Sequence, residues 1–347
     1  MEALQKISAD RGALALRQVA EPEPGPGQVL IEVAYAGICG TDLHIADNEF
    51  PANPPVTLGH ELSGVVAAIG AGVTRAQVGD HVTSETYFVL CGMCRYCRSG
   101  QPNLCPERKS IGSMINGAFA RYVVVPERNI HRLPANVDLQ LGALTEPLAC
   151  VVRNVQELTQ VHAGDVAVIS GPGPIGLLAL QVCQASGART IMLGTDADTK
   201  RLAAAQTLGA TYVINIQQHG LAATRQIIAD LTNGWLADVV FECAGAAPSA
   251  ATALELVRRG GRYGQVGLFS QPISIDMNQI CYKEIRLFGS NATVPSAWQR
   301  ALALMAAGAI RSDVIVSDTL PLGAWESAFA RLRAKDALKI MFTPSVS

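Results

Sequence analysis

The part of the chain before Thr145 carries its apolar residues in short runs separated by Gly, Pro and Asp. Four of these runs read QVLIEVAYAGIC, LSGVVAAIG, DHVTSETYFV and FARYVVVP. Short runs rich in Val, Ile and Tyr between turn-forming residues are typical of β-strands. The pattern therefore predicts a β-rich domain over residues 1–149.

From Thr145 onward the pattern alternates between strands and helices. Six apolar runs predict strands, namely DVAVIS, TIMLGTD, YVINI, ADVVFECAG, GRYGQVG and EIRLFGS. Stretches such as GLLALQVCQASG and TKRLAAAQTLG have helical spacing and lie between them. This alternation indicates a doubly wound parallel sheet over residues 150–288. A helix and a strand in the last segment, 289–347, are expected to return to the first domain.

Composition and charge narrow the class of protein. Of the 347 residues, 49% are apolar and 16% are charged, which suits two folded domains and excludes a disordered chain. The formal net charge of −2 provides no basic field for nucleic acid. The N-terminal stretch lacks a signal-peptide pattern, and no apolar window is long enough to cross a membrane. We expect a cytoplasmic protein with no nucleic-acid or membrane partner.

Four cysteines fall within the segment CGMCRYCRSGQPNLC. Their C-x2-C-x2-C-x7-C spacing lets the thiolates surround one tetrahedral ion, and four thiolates leave no position for a substrate. The spacing therefore predicts a structural zinc site at Cys91, Cys94, Cys97 and Cys105. An iron–sulfur cluster and a thioredoxin-like redox pair are the alternatives, and the redox pair fits a glycine-rich loop poorly.

A glycine motif opens the second domain. Gly171, Gly173, Pro174, Ile175 and Gly176 belong to GPGPIG, which follows the strand DVAVIS and precedes an amphipathic helix. In this context the glycines permit a tight turn, backbone approach to a pyrophosphate and close packing of helix on strand. The helix N-terminus then offers free N–H groups to the phosphate. The motif predicts a dinucleotide site, and an ordinary glycine turn is the alternative.

The identity of the dinucleotide depends on the residues after the next strand. Asp196, at the end of TIMLGTD, is placed to bind the adenosine ribose and favours NAD, because a carboxylate repels a 2′-phosphate. Thr195 is an alternative for the ribose position. Lys200 and Arg201 follow closely and could meet a 2′-phosphate, so the sequence predicts NAD and leaves NADP open.

A second set of metal-binding residue types lies in two loops of the first domain. Cys39 follows a predicted strand, and His60 and Glu61 come in a later loop. A thiolate, an imidazole and a carboxylate would form a three-ligand site with an open position, as catalytic zinc requires. His60 and Glu61 can face one metal only if the chain turns there, which Gly59 permits. Taken singly, Cys39 and His60 are more often core residues.

These motifs together resemble one protein family along the whole chain. In order, they are GICGTDLH, GHELSG, VGDHV, the four-cysteine segment, EPLA and GPGPIG. The chain resembles the zinc-dependent medium-chain alcohol dehydrogenases, and among them the sorbitol and threonine dehydrogenase branch. The resemblance implies an α/β fold, with a GroES-like β-rich catalytic domain and a Rossmann doubly wound parallel sheet inserted before the C-terminal segment.

Carried over by motif position, Cys39 and His60 would bind a catalytic zinc ion. Glu61 would be a third ligand or a neighbour that exchanges with water. Glu146, in EPLA, would be an alternative ligand or would hold a water molecule near the zinc. Each chain would thus bind two zinc ions, one catalytic and one structural, and would assemble as a homotetramer or dimer.

The implied activity is hydride transfer between a secondary alcohol and NAD(P), which gives the ketone. Zinc would lower the pKa of the substrate hydroxyl, Thr41 would pass its proton outward, and His44 would hand the proton to solvent. An NADPH-dependent ketone reductase and a non-catalytic dinucleotide-binding redox sensor are the alternatives.

The substrate is less well defined. Sorbitol dehydrogenases carry an Arg-Tyr pair where this chain has LFGSNAT, so sorbitol itself is a poor expectation. A polyol, sugar acid or amino alcohol is the expected class. Asn48, Glu49 and Asn291 would suit a polyhydroxy or acidic substrate if they line its cavity.

Overall fold

The structure is a computed structural model that describes residues 1–345. The chain divides into two compact units. The first comprises Met1–Glu146, Thr293–Ala306 and the chain from Val316 onward, and the second comprises Pro147–Ala292 and Ala307–Ile315. Among the described residues, no helix is long and apolar enough to cross a membrane.

The secondary structure is as follows. The strands are β1 (Glu2–Lys6), β2 (Leu14–Gln18), β3 (Gln28–Gly37), β4 (Val56–Thr57), β5 (Glu61–Ile69), β6 (His81–Ser84), β7 (Tyr87–Val89), β8 (Lys109–Ser110), β9 (Tyr122–Pro126), β10 (Ile130–Arg132), β11 (Val166–Ser170), β12 (Arg189–Gly194), β13 (Tyr212–Asn215), β14 (Ala237–Glu242), β15 (Val257–Gln265), β16 (Arg286–Gly289), β17 (Val316–Leu320) and β18 (Lys339–Phe342). The α-helices are α1 (Gly40–Ala46), α2 (Arg95–Arg98), α3 (Leu139–Gly142), α4 (Thr145–Val152), α5 (Pro174–Ala185), α6 (Thr199–Thr207), α7 (Ile216–Leu231), α8 (Ala247–Leu256), α9 (Asn278–Lys283), α10 (Pro295–Ala306), α11 (Ser312–Ile315) and α12 (Trp325–Arg333).

The first unit is built around a seven-stranded sheet of order β10-β6-β5-β3-β18-β17, in which β9 also pairs with β3. In β3, Val29, Ile31 and Val33 are buried while the residues between them are partly exposed, the period of two expected of a strand with one core face. A second sheet has the order β2-β1-β4, and the β7-β8 pair flanks the four-cysteine segment. The strands predicted for this domain are confirmed.

The second unit contains a parallel sheet of order β13-β12-β11-β14-β15-β16. All five residues of β11 are buried, which is typical of a parallel strand covered on both faces. The strand order reverses between β11 and β14, and ligands of such sheets bind at the carboxyl ends of the strands beside this point. All six strands predicted here are present, and the predicted fold class is confirmed.

Candidate active site

Cys39 is held by the helix that follows it. It is the N-cap of α1, and its backbone N–H donates to Oδ2 of Asp42 at 2.8 Å. Oδ1 of the same carboxylate accepts the N–H of Gly59 at 3.3 Å, so Asp42 joins the Cys39 loop to the loop that carries His60. Asp42 is fully buried, and this burial raises the pKa of its carboxyl. The nearby His60 and the N–H donors lower the same pKa but do not outweigh the burial. From the sequence, Asp42 was expected to be a turn residue bonded to its own backbone, or to orient a loop.

The chain turns at Gly59 so that His60 and Glu61 face the same point. Gly59 has φ +87°, a left-handed conformation, and a side chain there would collide with the ring of Phe119. One donor atom each from Cys39, His60 and Glu61 lie within 4.8 Å of one another. The structure therefore brings together the three residues that the sequence proposed as a metal site.

Glu61 occupies space left free by a glycine and contacts a buried cation. It pairs across the sheet with Gly37, where an added Cβ would overlap its carboxylate oxygen Oε2. The Nζ atom of Lys339, in β18, lies 2.5 Å from that oxygen and donates to the carbonyl of Ile38 at 2.9 Å. The Lys339 and Glu61 side chains are 4% and 1% exposed. Sequence reasoning missed Lys339, although a lone lysine in the apolar run LKIMF was a usable signal.

The charges in this cluster fit a divalent cation. Burial opposes protonation of His60, but the charge of Cys39, followed by those of Asp42 and Glu146, raises its pKa well above the ordinary value. Burial likewise opposes the positive charge of Lys339. The charges of Glu61 and Cys39 outweigh this effect of burial, so the pKa of Lys339 is raised. These charges favour a bound cation, and the S, N and O donors of Cys39, His60 and Glu61 suit zinc.

The predicted proton-transfer residues lie on α1, one turn apart. The Oγ1 atom of Thr41 lies 3.6 Å from Sγ of Cys39, next to the donor cluster. His44 stands at the exposed side of the helix, where its side chain is 47% exposed. Glu146 is buried in the first turn of α4 and acts electrostatically on His60. Thr41, beside the cluster, and His44, at the surface, thus lie in one helix.

The four-cysteine segment forms a compact group of thiols. Donor atoms of all four lie within 4.8 Å of one another, and Sγ of Cys91 is 3.9 Å from Cys97 and 3.6 Å from Cys105. Donors around a zinc ion with bonds of about 2.3 Å lie about 3.8 Å apart. N–H groups of Cys94 and Met93 donate to Cys91 and lower its pKa to about 7, which favours the thiolate. None of these thiols is in a disulfide, and the group fits the predicted closed zinc site.

The glycine motif joins β11 to α5 in the second unit. Gly171 has φ +103°, and a Cβ there would lie 2.7 Å from the backbone nitrogen of Ala244. A side chain on Gly176 would collide with the carbonyl of Gly171. Gly173, the N-cap of α5, has open space on its Cβ side among the described atoms, and Pro174 follows as the first residue of the helix. Ile175 and Gly176 complete this first turn.

The motif thus packs tightly against its own unit and is open at the helix N-terminus. That is the arrangement that lets a phosphate reach the free N–H groups of a helix. The five predicted residues of the motif lie together at the carboxyl end of β11, beside the strand-order reversal.

Asp196 is exposed just after β12 and is fixed by neighbouring side chains. Its Oδ1 atom accepts hydrogen bonds from Asn215 at 2.7 Å and from Gln218 at 2.8 Å. Thr195, the alternative ribose residue, instead donates its hydroxyl to Asp198 at 2.7 Å. Arg201 is largely buried with its Nη1 atom 3.7 Å from Asp198, and burial lowers its pKa. Of these residues, Asp196 is the exposed one that carries a carboxylate.

Known proteins resemble this chain over almost its whole length. Residues 25–135 match the family model "Alcohol dehydrogenase GroES-like domain", and residues 174–307 match "Zinc-binding dehydrogenase". A sorbitol dehydrogenase of Halalkalibacterium halodurans is 41% identical, with 99% of each chain covered. A D-arabitol-phosphate dehydrogenase of Enterococcus avium is 40% identical, with 98% of this chain and 97% of that one covered.

A solved structure shares the fold as well. It is a Sinorhizobium meliloti 1021 protein bound to NADP, described as a zinc-binding dehydrogenase, with a TM-score of 0.90, 34% identity and 99% of each chain covered. These matches confirm the resemblance and the class of cofactors predicted from the sequence. With both family models matched and both sets of donors assembled, the chain belongs to the zinc-dependent medium-chain alcohol dehydrogenase family.

Proposed function

We propose that the protein oxidises a secondary alcohol of the polyol class to its ketone with NAD(P). The observation that carries this proposal is the Cys39–His60–Glu61 cluster, in which Glu61 is buried and the other two are partly buried, with the Thr41 hydroxyl beside it. Relatives named for sorbitol and D-arabitol phosphate support a polyhydroxy substrate. Sugar acids and amino alcohols, the other classes expected from the sequence, present the same secondary hydroxyl.

Cys39, His60 and Glu61 would hold the catalytic zinc, with Glu146 near His60. When bound, zinc acts as a Lewis acid toward the alcohol oxygen, and the nicotinamide accepts the hydride. Thr41 accepts the hydroxyl proton of the substrate and passes its own proton on, and His44 releases a proton to solvent. Asp42 and Lys339 keep the donor side chains in place through the contacts described above.

The experiment that tests this function is a spectrophotometric assay of NADH formation. Sorbitol, D-arabitol phosphate, sugar acids and L-threonine are offered with NAD and with NADP. We expect turnover with at least one polyol or polyol phosphate and loss of turnover in Cys39→Ser. A protein that only reduces ketones with NADPH supports the reductase alternative. Dinucleotide binding without turnover of any alcohol or ketone supports the redox sensor.

The proposal includes a preference for NAD. It is supported by the exposed residue Asp196, whose carboxylate would accept hydrogen bonds from a ribose and repel a 2′-phosphate. Arg201, which could bind that phosphate, is held near Asp198. We expect kcat/KM to favour NAD and Asp196→Ser to reduce this preference. A parent enzyme that prefers NADP would contradict the assignment.

A homo-oligomer is also part of the proposal. Strand β16 ends the six-stranded sheet, and in the described chain no strand pairs with its outer edge. The segment leading to β16 exposes Leu268, Met277 and Tyr282, and β16 itself exposes Leu287. Unpaired edges and exposed apolar residues favour pairing of two copies about a twofold axis. Light scattering should give at least a dimer, dissociated by Leu287→Asp, and a monomeric parent would contradict this.

Two predictions from the sequence remain proposals here. A cytoplasmic location is supported by the nine cysteines, all of them unbridged. Domain boundaries at 1–149, 150–288 and 289–347 are supported by the division at Glu146, while Ala307–Ile315 groups with the second unit.

A further inference from the structure

The end of helix α1 places Glu49 beside His44. Asn48 has φ +59°, the left-handed conformation that asparagine tolerates after a helix. The N–H of Glu49 donates to the carbonyl of His44 at 2.8 Å, and the N–H of Asn48 donates to that of Ile45 at 3.1 Å. These two bonds form a Schellman motif, in which the chain folds back over the last turn. The backbone of Glu49 is therefore fixed to the backbone of His44.

The same end of the helix is anchored by several donors. Asp47, the C-cap, pairs with Arg11 at 3.3 Å and with Arg333 at 2.9 Å. The carbonyl of Ala46 accepts the N–H of Gly12 at 2.7 Å and the buried ammonium of Lys6 at 3.2 Å. These contacts anchor the turn that follows His44 to neighbouring segments.

The side chains of this pair meet as well. Oε2 of Glu49 lies 2.8 Å from Nδ1 of His44, with side chains 50% and 47% exposed. A carboxylate only accepts, so Nδ1 carries the proton in this contact and Nε2 of the neutral ring keeps its lone pair. A surface contact this exposed adds little to stability, at most about 1 kcal/mol. Its consequence is chemical, because it selects the tautomer of His44.

We propose that Glu49 is a positioning residue for proton release through His44. The inference rests on the proposed function, in which Thr41 passes a proton toward His44. Nε2 of His44 accepts that proton while the carboxylate of Glu49 holds Nδ1–H and keeps the ring in place. Loss of a proton from Nε2 to water then restores the neutral ring with its Nδ1–H. Glu49 thus acts through His44 and is not a substrate contact, the role that the sequence suggested for it.

A double-mutant cycle tests this assignment. We expect Glu49→Ala to lower kcat by about 5- to 20-fold. This is less than the ~10²-fold or larger effect of removing an acid–base group itself, because His44 remains in place. The KM for the alcohol should stay unchanged. Glu49→Gln should fall between Glu49→Ala and the parent, because its amide oxygen still accepts from Nδ1–H but carries no charge. In the His44→Ala background, Glu49→Ala should have no further effect on kcat.

The control variant is Glu326→Ala, which removes an exposed carboxylate of the same unit and should leave kcat unchanged. If Glu49→Ala raises KM, or slows the His44→Ala enzyme as much as the parent, Glu49 contacts substrate and the assignment is overturned. If His44→Ala slows turnover but Glu49→Ala does not, the relay stands and only the role of Glu49 falls. If His44→Ala leaves kcat unchanged, the proposed relay and the role of Glu49 both fall.

Discussion

Replacing Gly37 with alanine tests whether Glu61 works from its observed position. Gly37 pairs with Glu61 across β3 and β5, and a Cβ at Gly37 would overlap Oε2 of Glu61 and lie 3.3 Å from its Cβ. Gly37 does not adopt a left-handed conformation, so alanine suits its backbone. Real Cβ atoms essentially never approach another heavy atom within 3.0 Å. In a close-packed site the carboxylate must therefore move by about 1 Å.

A displacement of about 1 Å can lower the rate of a positioned reaction on the order of 10²-fold. We expect Gly37→Ala to lower kcat/KM for alcohol oxidation by about that factor and to weaken zinc retention at the Cys39 cluster. Steady-state NADH formation and zinc analysis by mass spectrometry measure the two effects. Combining Gly37→Ala with Glu61→Asp, whose shorter side chain relieves the overlap, should recover part of the zinc.

Gly323→Ala is the matched control for this substitution. Gly323 lies in the same unit, and a Cβ there has no described atom within 4 Å and needs no unusual backbone conformation. Gly323→Ala should therefore keep both activity and zinc. Full kcat/KM and full zinc content in Gly37→Ala, at an unchanged Tm, would refute the reasoning that Glu61 must occupy its present place.

Three further substitutions test other parts of the account. Lys339→Met leaves the buried carboxylate of Glu61 without its cation and should destabilise the protein by about 3–5 kcal/mol. Lys339→Arg keeps the positive charge and is the control. Equal Tm values for Lys339→Met and the parent would contradict this prediction. Cys97→Ser opens the four-thiolate shell and should remove one zinc per chain and lower Tm, so unchanged metal content would exclude the closed site. Thr41→Val keeps the shape of the side chain and should lower kcat by about 10²–10⁴-fold with zinc retained, and an unaltered kcat would remove Thr41 from the proton path.

Much of the fold could be predicted from the sequence because its signals are local. The Val- and Ile-rich run of β3 and the apolar run of β11 each predicted a strand, and the neighbouring Gly, Pro and Asp residues marked where the strands end. The turn at Gly59 was also predictable, since His60 and Glu61 could share a metal only if the chain reversed there.

The roles that were missed depend on contacts that the sequence pattern does not show. Lys339 contacts Glu61 only because β18 pairs with β3, and no spacing rule relates residues so far apart in the chain. The role of Glu49 depends on a rotamer that returns its carboxylate to His44, although the Asn48 turn was a readable local signal. Asp42 was seen as a turn residue, and its bond to Gly59 appears only when the two loops meet.

The most direct test of the central claim is the zinc content of the protein purified without added metal, compared with that of Cys39→Ser. The account predicts two zinc ions per chain in the parent and one in the variant. The ion that remains would be the one bound by the four-cysteine segment. One zinc ion in both forms would leave that structural site in place and would contradict a catalytic metal at Cys39, His60 and Glu61.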